Sequence, residues 1–186
     1  TNSCDIGLAF DGDGDRLGVI DNKGQIIWAD QYMLLLAKEI STLYQNPKII
    51  MDVKSSKVFF EEVKKFNCEP IMFKTGHSPI KEKMKEVNSP LSGEMSGHVC
   101  YGDDFYGYDD AMYVGLRLLR ILSNEKKSLN ELMSTYPKTT FTPETRIEVE
   151  EVRKFKIIEE IKNRLKNIKG KVIEIDGIRV ENDKGW

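Results

Sequence analysis

The 186-residue chain has only three cysteines, Cys4, Cys68 and Cys100, odd in number and far apart. That argues against a disulfide framework or a zinc site built on them, so a reducing cytoplasm is the expected setting. No apolar run approaches the roughly 20 residues of a membrane-spanning helix. Charge of either sign is not in excess: 28 Lys and Arg against 30 Asp and Glu give a formal net charge of −2. Neither nucleic acid nor an anionic membrane is therefore an expected partner. Histidine is scarce too, with two in the whole chain. No internal repeat and no low-complexity tract occurs.

What is present suits a packed core, since 40% of the residues are hydrophobic. Thr1-Asn2-Ser3 is neither a leader nor an initiator, and Lys184-Gly185-Trp186 follows a hairpin directly, so both ends read as cut. Ile6–Phe10 reads as a buried strand. Leu17–Ile20 and Gln25–Trp28 flank the turn Asn22-Lys23-Gly24 as a hairpin. Asp30 is the expected N-cap of a helix to Tyr44, with Met33, Leu36, Ala37 and Ile40 at helical spacing. Lys48–Val53 is a strand, and Ser56 caps a helix bearing Phe59, Val63 and Phe66 on one face. Ile71–Phe73 is the next strand. Ser78-Pro79 supplies the N-cap and first residue of a helix to Val87. Asp109 opens a helix to Leu122, and Leu129–Tyr136 forms a short one. This alternation predicts an α/β layer domain over residues 26–137. Pro137–Pro143 reads as a linker. Beyond it come a strand at Arg146–Val149, a helix at Lys154–Asn167, and a hairpin of Lys171–Ile175 with Ile178–Glu181 around Asp176-Gly177. Residues 138–186 are thus expected to form a separate, incomplete α+β unit outside the central sheet.

The run Asp11-Gly12-Asp13-Gly14-Asp15-Arg16 directly follows the first strand. Three carboxylates so close repel one another unless a cation lies among them. In a straight strand, alternate residues stand roughly 6.6 Å apart, too far to share one ion. The chain must curl, which Gly12 and Gly14 permit. All-oxygen ligands on a tight loop suit Mg²⁺ before Ca²⁺. An EF-hand is excluded, because its glycine and final glutamate positions are Arg16 and Asn22 here. Arg16 beside such a site either holds an anion such as phosphate or compensates the aspartates.

Both histidines follow glycine. Thr75-Gly76-His77-Ser78 precedes an expected helix, whose N-terminus favours an anion or a sugar oxygen. Gly93-Glu94-Met95-Ser96-Gly97-His98 puts Glu94, Ser96 and His98 at alternating positions, on one face if the chain is extended. A carboxylate, a hydroxyl and an imidazole together suit sugar hydroxyls, and His98 also suits proton transfer. A hydrogen-bonded histidine at a strand end is the plainer reading of either motif. Lys54, just past a strand, would ordinarily be a solvent-exposed lysine.

In this order, the motifs resemble the α-D-phosphohexomutase superfamily along essentially the whole chain, most closely its phosphomannomutase/phosphoglucomutase branch. The resemblance implies that Asp11, Asp13 and Asp15 hold Mg²⁺ and that Arg16 approaches a phosphoserine. It implies that Lys54 and His77 contact the sugar, within Asp52-Val53-Lys54 and Lys74-Thr75-Gly76-His77-Ser78. Glu94 and Ser96 would bind sugar hydroxyls, and His98 would lie near the reacting phosphate. Tyr106-Gly107-Tyr108-Asp109-Asp110 resembles the segment before the next helix. Residues 1–25 would end a second domain with its metal loop, 26–137 would be the sugar-binding third with a mixed sheet between helices, and 138–186 would open a fourth. The implied reaction interconverts hexose 1- and 6-phosphates through a phosphoserine and a bisphosphorylated sugar. No Thr-x-Ser-His-like nucleophile motif occurs, so this piece alone is expected to be inactive without the missing domains of its own chain. Phosphoglucosamine or phosphoacetylglucosamine mutase is the rival enzyme, against which Met95 is a modest argument. A non-catalytic cation- or sugar-phosphate-binding module is the rival of another class.

Overall fold

The computed structural model describes residues 3–142, 144–165 and 168–186. Thr1-Asn2 at the start, Pro143 at the end of the expected linker, and Asn167 at the end of the expected helix lie outside the described residues. The chain divides into two compact units, Thr1–Pro137 and Lys138–Trp186. Among the described residues no helix is long and apolar enough to cross a membrane.

The first unit begins with an antiparallel ladder of β1 (Ile6–Phe10), β2 (Leu17–Asp21) and β3 (Ile26–Ile27), in that order. Strand β2 alternates buried and exposed residues, so Leu17 and Val19 face inward. Helix α1 (Ala29–Leu43) follows, then β4 (Lys48–Asp52), α2 (Lys57–Lys65), β5 (Glu69–Phe73), α3 (His77–Val87), β6 (Leu91–Gly93), β7 (Val99–Tyr101), α4 (Ala111–Asn124) and α5 (Leu129–Met133). The main sheet runs β5-β4-β6-β7. Strand β4 is parallel to both β5 and β6, while β7 is antiparallel to β6. The expected mixed sheet between helices is therefore what forms.

Its two faces divide the core. Ile49 and Met51 of β4 join Leu91, Val99 and Tyr101 in a cluster with residues of α1, α2 and α4. Ile50 points the other way, into a smaller cluster with Ile80 and Met84 of α3. A strand buried on both sides reads as the unbroken apolar run seen in the sequence. The inward face of the β1–β3 ladder joins the larger cluster through Leu17, Val19 and Ile27.

Several local expectations are corrected. The N-cap of α1 is Trp28, whose N–H donates to Gln31 Oε1 at 2.9 Å. Asp30 lies inside the first turn and accepts from the Ser56 N–H instead. Helix α3 starts at His77 after Gly76, ahead of Ser78-Pro79, because Gly76 takes the turn at φ +128°. Asp110, not Asp109, caps α4 by accepting from the Tyr113 N–H. Ser56 caps α2 as expected.

The second unit contains α6 (Glu151–Arg164) and a hairpin of β8 (Lys171–Ile173) with β9 (Arg179–Glu181). Neither strand joins the main sheet. The expected strand at Arg146–Val149 is absent. Ile147 and Val149 are exposed there, so its apolar alternation has no covered face to turn toward.

Candidate functional site

Strand β2 cannot begin until the aspartate loop has reversed the chain, since β1 and β2 are antiparallel neighbours. Of the two glycines expected to allow the curl, only Gly14 takes a positive φ, +76°. The loop is fixed at both ends by backbone. Ala111 N–H donates to Gly14 O at 3.0 Å, and Leu17 N–H donates to Gly97 O at 3.1 Å. Gly97 has φ +99°, and a Cβ there would lie 2.9 Å from Leu17 O. The loop of residues 94–98 can therefore approach β2 this closely only with glycine at that position. An isolated bridge between Arg16 and His98 completes the junction.

Asp11, Asp13 and Asp15 converge, each with a carboxylate oxygen within 4.8 Å of the others. Asp15 Oδ1 is buried and receives no hydrogen bond. Oxygen-only donors, crowded negative charge and an unsatisfied carboxylate oxygen fit a hard divalent cation. Arg16 leans on this group, its Nε 2.5 Å from Asp11 Oδ2 and 3.7 Å from Asp15 Oδ1. The Arg16 backbone N–H donates to Asp11 Oδ1. That bond first, and the guanidinium after it, outweigh desolvation and lower the Asp11 pKa to about 2. Because the folded value lies below the ordinary one, the pairing is fully present above the usual carboxylate range and is lost as pH falls through about 2. Carbon-13 detected titration of the cation-free chain should place the Asp11 midpoint near that value. A midpoint at the ordinary carboxylate pKa would contradict the Arg16 contact.

Three segments meet this loop from the carboxyl ends of the parallel strands β4, β5 and β6, where open α/β sheets gather ligand groups. After β6, Glu94 to His98 form a tight turn rather than the extended chain expected, with Gly97 N–H donating to Glu94 O and Glu94 N–H to His98 O. The three side chains meet through that turn. Glu94 is buried; one carboxylate oxygen accepts from Gly76 N–H and the other lies 2.8 Å from His98 Nδ1. Ser96 Oγ is 3.1 Å from the same nitrogen and remains exposed. His98 Nε2 faces Asp15 Oδ2 at 3.3 Å. After β5, His77 brings its ring to 5.3 Å from the His98 ring. After β4, Lys54 stands exposed, its positive charge favouring ionisation of the buried Asp52 against the cost of burial. Glu94, Asp15 and His77 thus all meet at His98.

Two aspartates escaped the sequence reading as site residues. Asp52 Oδ1 accepts from Ser55 Oγ and from Met95 N–H, tying the turn after β6 to the end of β4. Burial pushes its pKa up against those two bonds. Asp109 lies 3.3 Å from His77 Nδ1 and 2.8 Å from Lys81 Nζ. Burial opposes its ionisation, but the Lys81 ammonium and the backbone outweigh it and hold its carboxyl below the usual range. The doublet Asp109-Asp110 was the available signal, because only one of the two can cap α4.

A family model described as phosphoglucomutase/phosphomannomutase, alpha/beta/alpha domain III, matches residues 28–139. The phosphomannomutase/phosphoglucomutase of Pseudomonas aeruginosa is 42% identical over 184 residues, covering 99% of this chain and 40% of that protein. The crystal structure of a phosphoglucomutase/phosphomannomutase family protein from Burkholderia thailandensis aligns with TM-score 0.87 at 41% identity, over 96% of this chain and 38% of that one. An Aspergillus fumigatus N-acetylphosphoglucosamine mutase, solved with GlcNAc-6P and magnesium, aligns with TM-score 0.59 at 15% identity, over 70% of this chain and 35% of that one. That last likeness is one of fold. The chain spans about 40% of the length of the curated relatives it matches.

Proposed function

This chain belongs to the phosphoglucomutase/phosphomannomutase family, and we propose that it supplies the metal loop and the sugar-binding domain of a hexose-phosphate mutase. In this reading residues 1–25 end a second domain, 26–137 are the third and 138–186 begin a fourth. The observation that carries the reading is the chain of contacts from Asp15 through His98 to Glu94, which joins a cation loop to a set of sugar-hydroxyl partners. A cytoplasmic location belongs to the same reading, since three cysteines far apart in sequence do not make a disulfide framework.

Asp11, Asp13 and Asp15 would hold Mg²⁺. When bound, the ion would neutralise charge on the transferring phosphoryl group. Arg16, released from Asp11, would bind phosphate oxygens. Glu94 and Ser96 would accept from and donate to hexose hydroxyls, while Lys54 and His77 would fix the ring and the phosphate remote from the reacting end. His98 Nε2 would hold or release the proton of the reacting hydroxyl, its ring oriented by Glu94 at Nδ1. The nucleophile would be a phosphoserine contributed by another part of the longer protein, with a hexose 1,6-bisphosphate between the two half-reactions.

The test is a comparison of the longer protein with the 186-residue chain. The longer protein should interconvert glucose or mannose 1- and 6-phosphates with Mg²⁺, and should do so faster than the glucosamine phosphates. The 186-residue chain should show no turnover with a hexose bisphosphate activator. Turnover by that chain above a contaminant control would place the nucleophile within it and overturn the assignment of roles. Mg²⁺ usually keeps several waters and relies on phosphate oxygens, so calorimetry should also find only weak binding to the 186-residue chain. Tight binding without phosphate would contradict the proposed sharing of the ion.

A further inference from the structure

The aspartate loop does not account for every carboxylate at this corner of the first unit. Asp15, His98 and Asp109 also bring one ligand atom each within 4.8 Å of one another. His98 Nδ1 is 2.8 Å from Glu94 Oε2. An ionised carboxylate only accepts, so Nδ1 carries the proton. Its Nε2 is the nitrogen left for another partner, and it points at Asp15 Oδ2, 3.3 Å away.

Asp109 supplies the independent observation. Its side chain is only 8% exposed, and Lys81 Nζ takes Oδ1 at 2.8 Å. Its Oδ2 is buried and receives no hydrogen bond, although His77 Nδ1 lies 3.3 Å away. A buried carboxylate oxygen without a donor is uncommon and calls for an explanation.

We infer that Asp15, His98 and Asp109 form a second cation site, for a borderline transition ion such as Zn²⁺, sharing Asp15 with the aspartate loop. The donor set distinguishes the two sites. Three carboxylates suit Mg²⁺, whereas one imidazole nitrogen with two carboxylates suits Zn²⁺. Glu94 would fix the tautomer that exposes Nε2, the arrangement in which a carboxylate behind a ligating histidine strengthens metal binding. An ion held there occupies His98 Nε2 and draws Asp15 away from Mg²⁺, so it inhibits the mutase. Only that inhibitory consequence rests on the proposed function; the binding does not.

The chain has two histidines, so ring-nitrogen NMR of the ¹⁵N-labelled protein resolves the question, with His77→Ala assigning the signals. Zn²⁺ added with Mg²⁺ in excess should move the His98 Nε2 resonance to a metal-bound position. Asp109→Asn should weaken that response at least about tenfold, and Glu94→Gln about 10–100-fold. Asp13→Asn, which alters only the loop site, should leave the His98 response in place. Amide spectra of each variant establish that it is folded. A Zn²⁺ response confined to the aspartate loop, with His98 Nε2 unmoved, overturns the proposal, as does unaltered binding in folded Asp109→Asn. Failure of the mutase reading would appear instead as absent turnover, which this titration does not touch.

Discussion

Arg117→Ala is expected to destabilise the unit Thr1–Pro137 by about 3–5 kcal/mol, the range for leaving buried charges unpaired. The Arg117 side chain is 4% exposed. Its Nε and Nη2 both donate to Glu39 Oε2, at 3.0 and 2.8 Å, and Nη1 donates to Asp103 Oδ2 and to Tyr113 Oη. The guanidinium also lies 4.1 Å from the centre of the Tyr101 ring. One side chain therefore ties α4 to α1, to the end of β7 and to the segment that follows it. Alanine leaves the Asp103 carboxylate, 1% exposed, without its cation. Glu39 keeps Arg120 in part, which holds the loss below that of two orphaned carboxylates. Arg117→Lys restores the charge but not the fork of donors, so it should recover only part of the stability. Urea unfolding followed by circular dichroism measures both. A loss under about 1 kcal/mol for alanine would mean the network behaves as a solvent-screened surface pair.

That network shows why part of the molecule was legible in the sequence and part was not. Strand β4 was legible because Ile49-Ile50-Met51 is apolar without interruption, and a strand covered on both faces needs that pattern. The hairpin of β8 and β9 was legible because Asp176-Gly177 marks a chain reversal, but its favoured two-residue turn is not what forms: Ile173 pairs with Arg179, which leaves a longer loop between shorter strands. The aspartate loop was legible because crowded like charges with glycine between them imply convergence on something positive. Arg117 gave no local signal: its partner Glu39 is 78 residues away, on another helix. The Glu94–His98 segment misled for a related reason. Alternation implies one face only in extended chain, and Gly97, at positive φ against Leu17, turns it into a tight loop. Arg146–Val149 alternates as a strand should, but pairing depends on a neighbour that periodicity does not reveal. Trp28 and Gly76 precede helices without a capping hydroxyl or carboxylate, so residue preference named Asp30 and Ser78 in their place.

On the proposed function, Glu94→Ala is expected to lower kcat/KM of the longer protein by about 10², with sugar-phosphate affinity and turnover falling together. The carboxylate is buried, and both its oxygens are engaged before any sugar arrives, one by Gly76 N–H and the other by His98 Nδ1. Alanine would remove three things at once: an acceptor for a hexose hydroxyl, the partner that orients His98, and the acceptor for the turn ahead of His77. A buried donor left unpaired costs about 1–3 kcal/mol, and two such donors correspond to about 10² or more in rate. Because a sugar hydroxyl would meet Glu94 in both the ground and transition states, part of the loss should appear in KM. Because His98 is held by the same carboxylate, the remainder should appear in kcat. Glu94→Gln separates these contributions. Its amide oxygen can still accept from Gly76 N–H or from the sugar, but it cannot offer an anion to His98 Nδ1. The glutamine variant should therefore keep more of its affinity than of its turnover. Steady-state kinetics with mannose and glucose 1-phosphates measure the division. Equal loss of kcat in both variants with KM unchanged would remove Glu94 from sugar binding and leave it only the task of orienting His98.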